Sequence, residues 1–355
     1  MENNEFDQKS YEDAFTKSYD EKHAEFENIS NQKLIISLIG SVNAGKSKTI
    51  NALTGIDYTE VKARSGWTKE VSLYELNKGV FIADTPGLFD IDTDVSKKAS
   101  DFVANSADII LYFLNAGVGI TQHEKKAFEE IAALGKQTLV VLNKIDSLEQ
   151  NEVTDVINQI KEELCIFPIP ISSKTGEGIQ NLNNEIVKIL EANGKDLMFL
   201  KISKFKEQSV KKWINAATAT AFGIGALPIP GSDIVALSAL QTGLAFKIAY
   251  IYEIKPTKED IMSLLASTVT GSIGKQIVRW GITALKAAGW IPGAQLLEVA
   301  ISVIAASIAA SLTYAFGWAC NAYYKSGMTL DLGEVGAIFK EKYEMHQKEK
   351  EVTKV

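Results

Sequence analysis

The chain has 355 residues, 46% of them hydrophobic and 23% charged, which is enough apolar material for two sizeable cores and argues against disorder. A net charge of −7 argues against a general binder of DNA or RNA, because a phosphate backbone is held by excess Lys and Arg. The only two cysteines, Cys165 and Cys320, lie far apart and form neither a disulfide framework nor a CxxC metal site, so a reducing, cytoplasmic setting is expected.

Residues 1–32 are polar and acidic, yet Phe6, Tyr11, Phe15, Tyr19 and Phe26 recur at loosely helical intervals. This spacing predicts an N-terminal extension of one or two amphipathic helices. No basic stretch followed by an apolar core opens it, so a secretory signal is not expected. From Leu34 the pattern changes to short apolar runs, "LIISLIG", "VFIADTPG", "ADIILYFLNAG", "QTLVVLNKID" and "FPIPISS", separated by helix-like stretches. That alternation predicts a mostly parallel sheet with helices on both faces, an α/β architecture. "VSLYELNKGVFIAD" interrupts it and reads as an antiparallel hairpin turning at Asn-Lys-Gly.

Four short motifs stand at predicted strand ends. In "LIISLIGSVNAGKSKTINAL", Gly40, Gly45, Lys46 and Ser47 satisfy GxxxxGK[ST], after a strand and opening a helix, as a phosphate-cradling P-loop requires. Backbone N–H groups along Asn43, Ala44, Gly45, Lys46, Ser47 and Lys48 would turn towards phosphate oxygens. Lys46 would reach the β- and γ-phosphates, and the Ser47 hydroxyl would ligate Mg²⁺. "FIADTPG" places Asp84 and Gly87 in a DxxG pattern, Asp84 to hold Mg²⁺ through a water and the Gly87 N–H to face the γ-phosphate. "VVLNKID" supplies Asn143, Lys144 and Asp146. The Asp146 carboxylate can accept from the N1–H and N2–H₂ edge of guanine, whereas adenine would oppose it with a lone pair. Lys144 would cover the base with its aliphatic stem, and Asn143 would support the loop and the base's far edge. "ISSKTGEG" then sets Ser172, Ser173 and Lys174 where a backbone N–H is needed for guanine O6.

In this order and spacing, residues 34 to about 193 resemble a translation-factor-class GTPase of the TrmE–Era–EngA type. The resemblance implies a G domain over 33–197, a Mg²⁺-dependent GTP hydrolase, and a switch threonine that closes on metal and γ-phosphate, with Lys46, Thr68 and Gly87 as the catalytic set. Thr68 in "SGWTKEV" fits that switch role, and Thr59 in "YTE" is the alternative. Where Ras-like GTPases carry a water-orienting glutamine after the DxxG glycine, this chain has Leu88, which cannot do that work. Some members of the resembled group use K⁺ held by a P-loop asparagine. Asn43 matches that position, so a monovalent cation, at a homodimer of G domains, is the expected substitute for an arginine finger.

After about Leu200 the strands stop. "KISKFKEQSVKKW" sets five lysines against one glutamate ahead of an apolar, Gly/Ala-rich region, which predicts an all-α helical domain over 198–328. Two Pro-Gly corners, each followed by a long apolar helix, suggest a repeated hairpin. A charged helix or tail, 329–355, is expected to be solvated. The "PIPG" corner and its surroundings resemble a YcjF-type C-terminal domain of uncharacterised function. No GxxG loop with Lys/Arg density follows the G domain, which argues against an RNA-binding KH module.

"VAISVIAASIAASLTYAFGWAC", Val299 to Cys320, contains no charged residue and would reach about 33 Å as a helix, the thickness of a bilayer core. A core helix of a large helical domain would look the same. In the membrane reading this run and "INAATATAFGIGALPIPG" enter the bilayer as a peripheral or hairpin element at its cytoplasmic face, Ala306 and Ala310 allow close helix packing, and the lysines ahead of the apolar region face anionic headgroups. The sequence therefore predicts a GTP-driven switch whose helical domain acts at a membrane. The alternative is a soluble Era-like assembly GTPase with a protein or ribosomal partner.

Overall fold

Six apolar runs pair into one sheet in the computed structural model, which describes residues 8–60, 71–85, 93–226, 232–268 and 294–352. The strands are β1 (Leu34–Gly40), β2 (Ser72–Asn77), β3 (Val80–Asp84), β4 (Ile109–Asn115), β5 (Thr138–Asn143) and β6 (Ile169–Pro170). Their spatial order is β2-β3-β1-β4-β5-β6. Every neighbouring pair is parallel except β2 and β3, the expected hairpin. The chain divides into two units, one from Ile29 to Lys206 and one taking residues up to Asn28 with those from Glu207 onward.

Strand alternation sorts the first unit's side chains into two layers. Ile35, Ile39, Ile110, Tyr112, Leu114, Val140 and Leu142 face one side, where they pack with Phe102, Phe128, Ile131, Ile160 and Leu164. Those partners lie on α3 (Thr93–Ser106), α4 (Gln122–Ala133) and α5 (Gln150–Leu164). Leu34, Ile36, Leu38, Ile109, Leu111 and Phe113 face the other, against Ile50, Leu53, Leu182, Ile186, Leu190 and Phe199. These come from α2 (Lys46–Thr54), α6 (Ile179–Ala192) and α7 (Asp196–Ile202). Because both faces are covered, β1 and β4 are buried along nearly their whole length, and each large side chain removed from water contributes about 1.5–3 kcal/mol. The sheet's strand order reverses at β1, between β3 and β4, and in open parallel sheets that is where the carboxyl ends of the strands leave a crevice for a ligand.

The second unit is helical. It contains α8 (Lys206–Gly225), α9 (Ser232–Ile251), α10 (Lys258–Ser267), α11 (Ala294–Lys325) and α12 (Leu332–Val352). To these is added most of the N-terminal helix, α1 (Gln8–Asn31). The aromatic spacing of that helix is its packing face: Phe15 and Phe26 are buried, Phe26 stacks on Phe246 at 5.4 Å, and the Tyr19 hydroxyl donates to the Pro256 carbonyl at 3.1 Å. The charged C-terminal helix differs from the expected solvated tail. It buries Val335 and Phe339, an apolar pair at helical spacing that the surrounding Glu and Lys residues mask in the sequence.

Helix α11 carries the long uncharged run, and the unit packs around it. Ala306, Ala310, Ala315, Phe316, Ala319 and Cys320 are buried. Gly317 lets α8 and α9 approach, since a Cβ there would meet Ile214 at 2.7 Å and Leu244 at 3.0 Å. Its polar groups find protein partners. Ser311 Oγ donates to the Ser307 carbonyl at 2.8 Å, accepts from Gln347 Nε2 at 2.9 Å and lies 2.9 Å from His346 Nδ1. Asn321 Oδ1 accepts from the Tyr252 hydroxyl at 2.9 Å, and Gln241 Nε2 donates to Thr313 Oγ1 at 3.4 Å. The bond of Ser311 to its own helix is local, whereas the partners from other helices depend on tertiary placement.

Candidate functional site

The P-loop joins β1 to α2 beyond the carboxyl edge of the sheet. Gly45 caps α2 with φ 91°, and a Cβ at this position would sit 2.1 Å from Asn143 Nδ2, so both backbone angle and space demand glycine. Asn43, two residues earlier, holds φ 66°, and Lys144 holds φ 68°; each is a non-glycine residue in the left-handed region, one in each of two loops that face one another. Such residues persist only where the surroundings over-determine them. Lys46 Nζ donates to the carbonyls of Gly40 at 2.9 Å and Ser41 at 3.3 Å, which holds its ammonium over the loop. Asn43 and Lys48 are exposed, and Ala44 is buried.

Asn143, fully buried at the end of β5, connects the loops. Its Nδ2 donates to the Ala44 carbonyl at 2.8 Å and to Ser173 Oγ at 3.2 Å. Its Oδ1 accepts from the backbone N–H of Lys144 at 2.8 Å and of Ser173 at 3.0 Å. Both donors and both lone pairs of the amide are thereby used. Sequence reasoning gave Asn143 a supporting role; the link to the P-loop came only with the fold, because nothing in "VVLNKID" indicates which strand end lies beside it.

Asp146 lies in the short turn after Lys144. Ser172 Oγ donates to its Oδ1 at 2.7 Å, and the Lys174 ammonium is 3.7 Å from Oδ2. The serine hydroxyl, and to a lesser degree the lysine charge, hold this carboxyl below the ordinary aspartate range, so it stays ionised and ready to accept. Ser172 Oγ in turn receives long backbone bonds from Lys174 N at 3.3 Å and Thr175 N at 3.1 Å. The Ser173 N–H is committed to Asn143, which leaves the weakly held Lys174 N–H as the donor that a carbonyl oxygen of a bound base can most easily recruit.

Asp84 ends β3, in register with Leu38 of the neighbouring β1, which brings it to the P-loop serine. Between the two stands a residue that sequence reasoning passed over. Ser47 Oγ donates to the Tyr58 hydroxyl at 3.1 Å, and that hydroxyl donates to Asp84 Oδ2 at 3.0 Å. Asp84 Oδ1 is buried without a hydrogen-bond partner among the described residues. A serine hydroxyl and a carboxylate with an uncommitted buried oxygen are hard donors suited to hydrated Mg²⁺. Thr59 points elsewhere, its hydroxyl donating to Asp57 Oδ1 at 2.7 Å. Thr68, Gly87 and Leu88 lie outside the described residues.

Comparison with known proteins finds similarity in two parts of the chain. Residues 35–144 match the family of 50S ribosome-binding GTPases, and residues 195–348 match a domain of unknown function, DUF697. GTPase Der of Persephonella marina is 30% identical over 176 residues, 45% of this chain and 39% of that protein. GTPase Era of Bradyrhizobium diazoefficiens is 24% identical over 162 residues, 44% of this chain and 53% of that protein. The chain thus spans about two fifths to a half of the length of the curated relatives it matches. A crystal structure of Aquifex aeolicus Era bound to GDP and aluminium fluoride is similar at 23% identity and a TM-score of 0.35, over 44% of this chain and 57% of that one.

Replacing Asn143 by Ala strands the Ala44 carbonyl and the Ser173 and Lys144 N–H groups. The expected result is a loss of about 1–3 kcal/mol in chemical denaturation of the unliganded chain, and an unchanged midpoint would mean that the amide does not join the loops.

Proposed function

We propose that this chain, whose nucleotide domain is of the TrmE–Era–EngA type and whose helical region is of the DUF697 kind, is a GTP-binding and GTP-hydrolysing switch. The observation that carries the reading is the Asn143 bridge, which fixes the phosphate loop beside an ionised Asp146. In this reading the α2 N-terminus and the loop N–H groups receive the phosphates, and Lys46 leaves the Gly40 and Ser41 carbonyls to meet them. Asp146 accepts the N1–H and N2–H₂ of guanine, Lys174 N–H meets O6, and the Lys144 stem covers the ring. Ser47 and Asp84 would hold Mg²⁺, directly and through water, and the metal when bound would neutralise charge on the β- and γ-phosphates. Hydrolysis breaks the bond between the γ-phosphorus and its bridging oxygen as water attacks, giving GDP and phosphate. With Leu88 in place of a water-orienting glutamine, Asn43 would hold a K⁺ ion, at a dimer of G domains, and that ion would supply the missing positive charge.

The helical unit is the output. Among the described residues one stretch, Val303–Lys325, is long and apolar enough to cross a membrane, and 61% of its most apolar part is buried within the protein. Together with the polar pairs of Ser311, Thr313 and Asn321, this supports a core helix over a span. A peripheral mode at an anionic, cytoplasmic membrane face is supported by a different feature. Phe222 is 41% exposed, Val235 52% and Val303 46%. Phe222 and Val303 share one end of the unit, since Gly225 packs against Ala306, and Val235 lies near the start of the helix that follows. The second reading is a soluble assembly GTPase that offers the same apolar end to a protein or ribosomal partner.

Lys46→Ala is expected to abolish GTP binding, and Asp146→Asn to shift preference towards xanthosine nucleotides, both measured by displacement of fluorescent GDP. Retained GTP affinity in the two variants would refute the site. Hydrolysis is expected to run faster in K⁺ than in Na⁺, and equal rates would remove Asn43 and K⁺ from the mechanism. The full chain should co-sediment with anionic vesicles while Phe222→Asp does not; failure of the unsubstituted chain to bind would favour the soluble partner.

A further inference from the structure

Guanine and phosphate recognition have no use for a phenol, yet Tyr58 is built into the metal-binding corner with its side chain completely buried. Its ring is fixed against Tyr74, centroids 5.0 Å apart, and it belongs to the core that packs below the sheet. A tyrosine phenol keeps its proton at neutral pH, so Tyr58 is a neutral donor. The direction of the hydrogen bonds then follows from chemistry. Asp84 as a carboxylate only accepts, so the single Tyr58 proton goes to Oδ2, 3.0 Å away. Towards Ser47 the phenol can offer only a lone pair, and the serine proton must point to it over 3.1 Å.

This relay has a consequence for what is left over. The proton of Ser47 is turned away into the protein, so the remaining lone pairs of its oxygen are free to ligate. One oxygen of Asp84 is tied down, and the other, Oδ1, is buried with no partner among the described residues. Two uncommitted acceptors thus stand at the ends of β1 and β3, held in place by one hydroxyl between them. We propose, on the reading that Ser47 and Asp84 serve Mg²⁺, that Tyr58 is the positioning residue of the metal site. It orients the Ser47 lone pairs and fixes Asp84 with Oδ1 uncommitted, so that both residues would be set to hold the hydrated ion. Tyr58 itself does not touch the metal, and its turn, Tyr58–Glu60, continues in sequence into the segment that carries Thr68.

The test is the Mg²⁺ dependence of fluorescent GDP release from the full chain, for the unsubstituted protein and for Tyr58→Phe, which keeps the ring and removes the relay. The variant is expected to need about threefold to tenfold more Mg²⁺ for half-maximal retention, the range set by the net worth of one hydrogen bond. Release in excess EDTA should be equal in the two proteins, and saturating Mg²⁺ should restore retention, a pattern that a general loss of folding would not give. An unchanged or lower Mg²⁺ requirement overturns the proposal, the lower value meaning that Tyr58 competes with the ion. Release from the unsubstituted chain that ignores Mg²⁺ overturns the metal reading and this inference with it, and so separates the two failures. Should Tyr58→Phe fold poorly, 3-fluorotyrosine at position 58 of the otherwise unsubstituted chain gives a second readout. Its fluorine resonance is expected to shift over the Mg²⁺ range that retains GDP, and a resonance that stays in place contradicts the relay.

Discussion

The candidate site depends on one buried amide. A parallel sheet brings the ends of β1 and β5 to the same edge but leaves β4 between them, so their loops have no backbone reason to meet. Asn143 spans that gap by using all of its hydrogen-bonding capacity, two bonds from its nitrogen and two to its oxygen. In a dry interior an amide so placed gains from each bond and would lose heavily from any one left unmade. This explains why Gly45 has no room for a side chain and why Lys144 sits in the left-handed region: both backbones are shaped to the same amide. The P-loop and the turn that carries Asp146 are in this way held at a fixed distance by one side chain.

The α/β architecture was legible in the sequence because its strands are covered on both sides and therefore read as unbroken apolar runs. The hairpin of β2 and β3 was legible from its turn, Asn-Lys-Gly between two strand-like runs. Motif residues at strand ends could be named in advance, since glycine, lysine, serine and aspartate at those spacings have few other reasons to recur. Their mutual contacts were not legible. Which loop Asn143 touches depends on strand order, and strand order is absent from any local pattern. Tyr58 gave no signal at all: a tyrosine in a polar stretch beside Thr59 looks like an ordinary loop residue, and only the register of β1 with β3 places its hydroxyl between Ser47 and Asp84.

The helical unit illustrates the limit of composition. The uncharged run of α11 has the length and hydropathy of a span, and so does any helix surrounded by others. What separates the cases is the fate of its hydroxyls and amides. Ser311 meets Gln347 and His346 from α12, and Asn321 meets Tyr252 from α9's end, contacts in which a packed protein rather than lipid satisfies the polar groups. Phe222, Val235 and Val303 remain exposed on the unit, and the proposed output surface rests on them rather than on the buried length of the helix.

The measurement that bears most directly on the central claim is competition of unlabelled nucleotides against fluorescent GDP on the unsubstituted full chain in Mg²⁺. If the amide-linked loops form a guanine nucleotide site, GDP and GTP displace the probe at far lower concentration than ATP or xanthosine diphosphate. Equal displacement by ATP, or failure of the probe to bind, would contradict it.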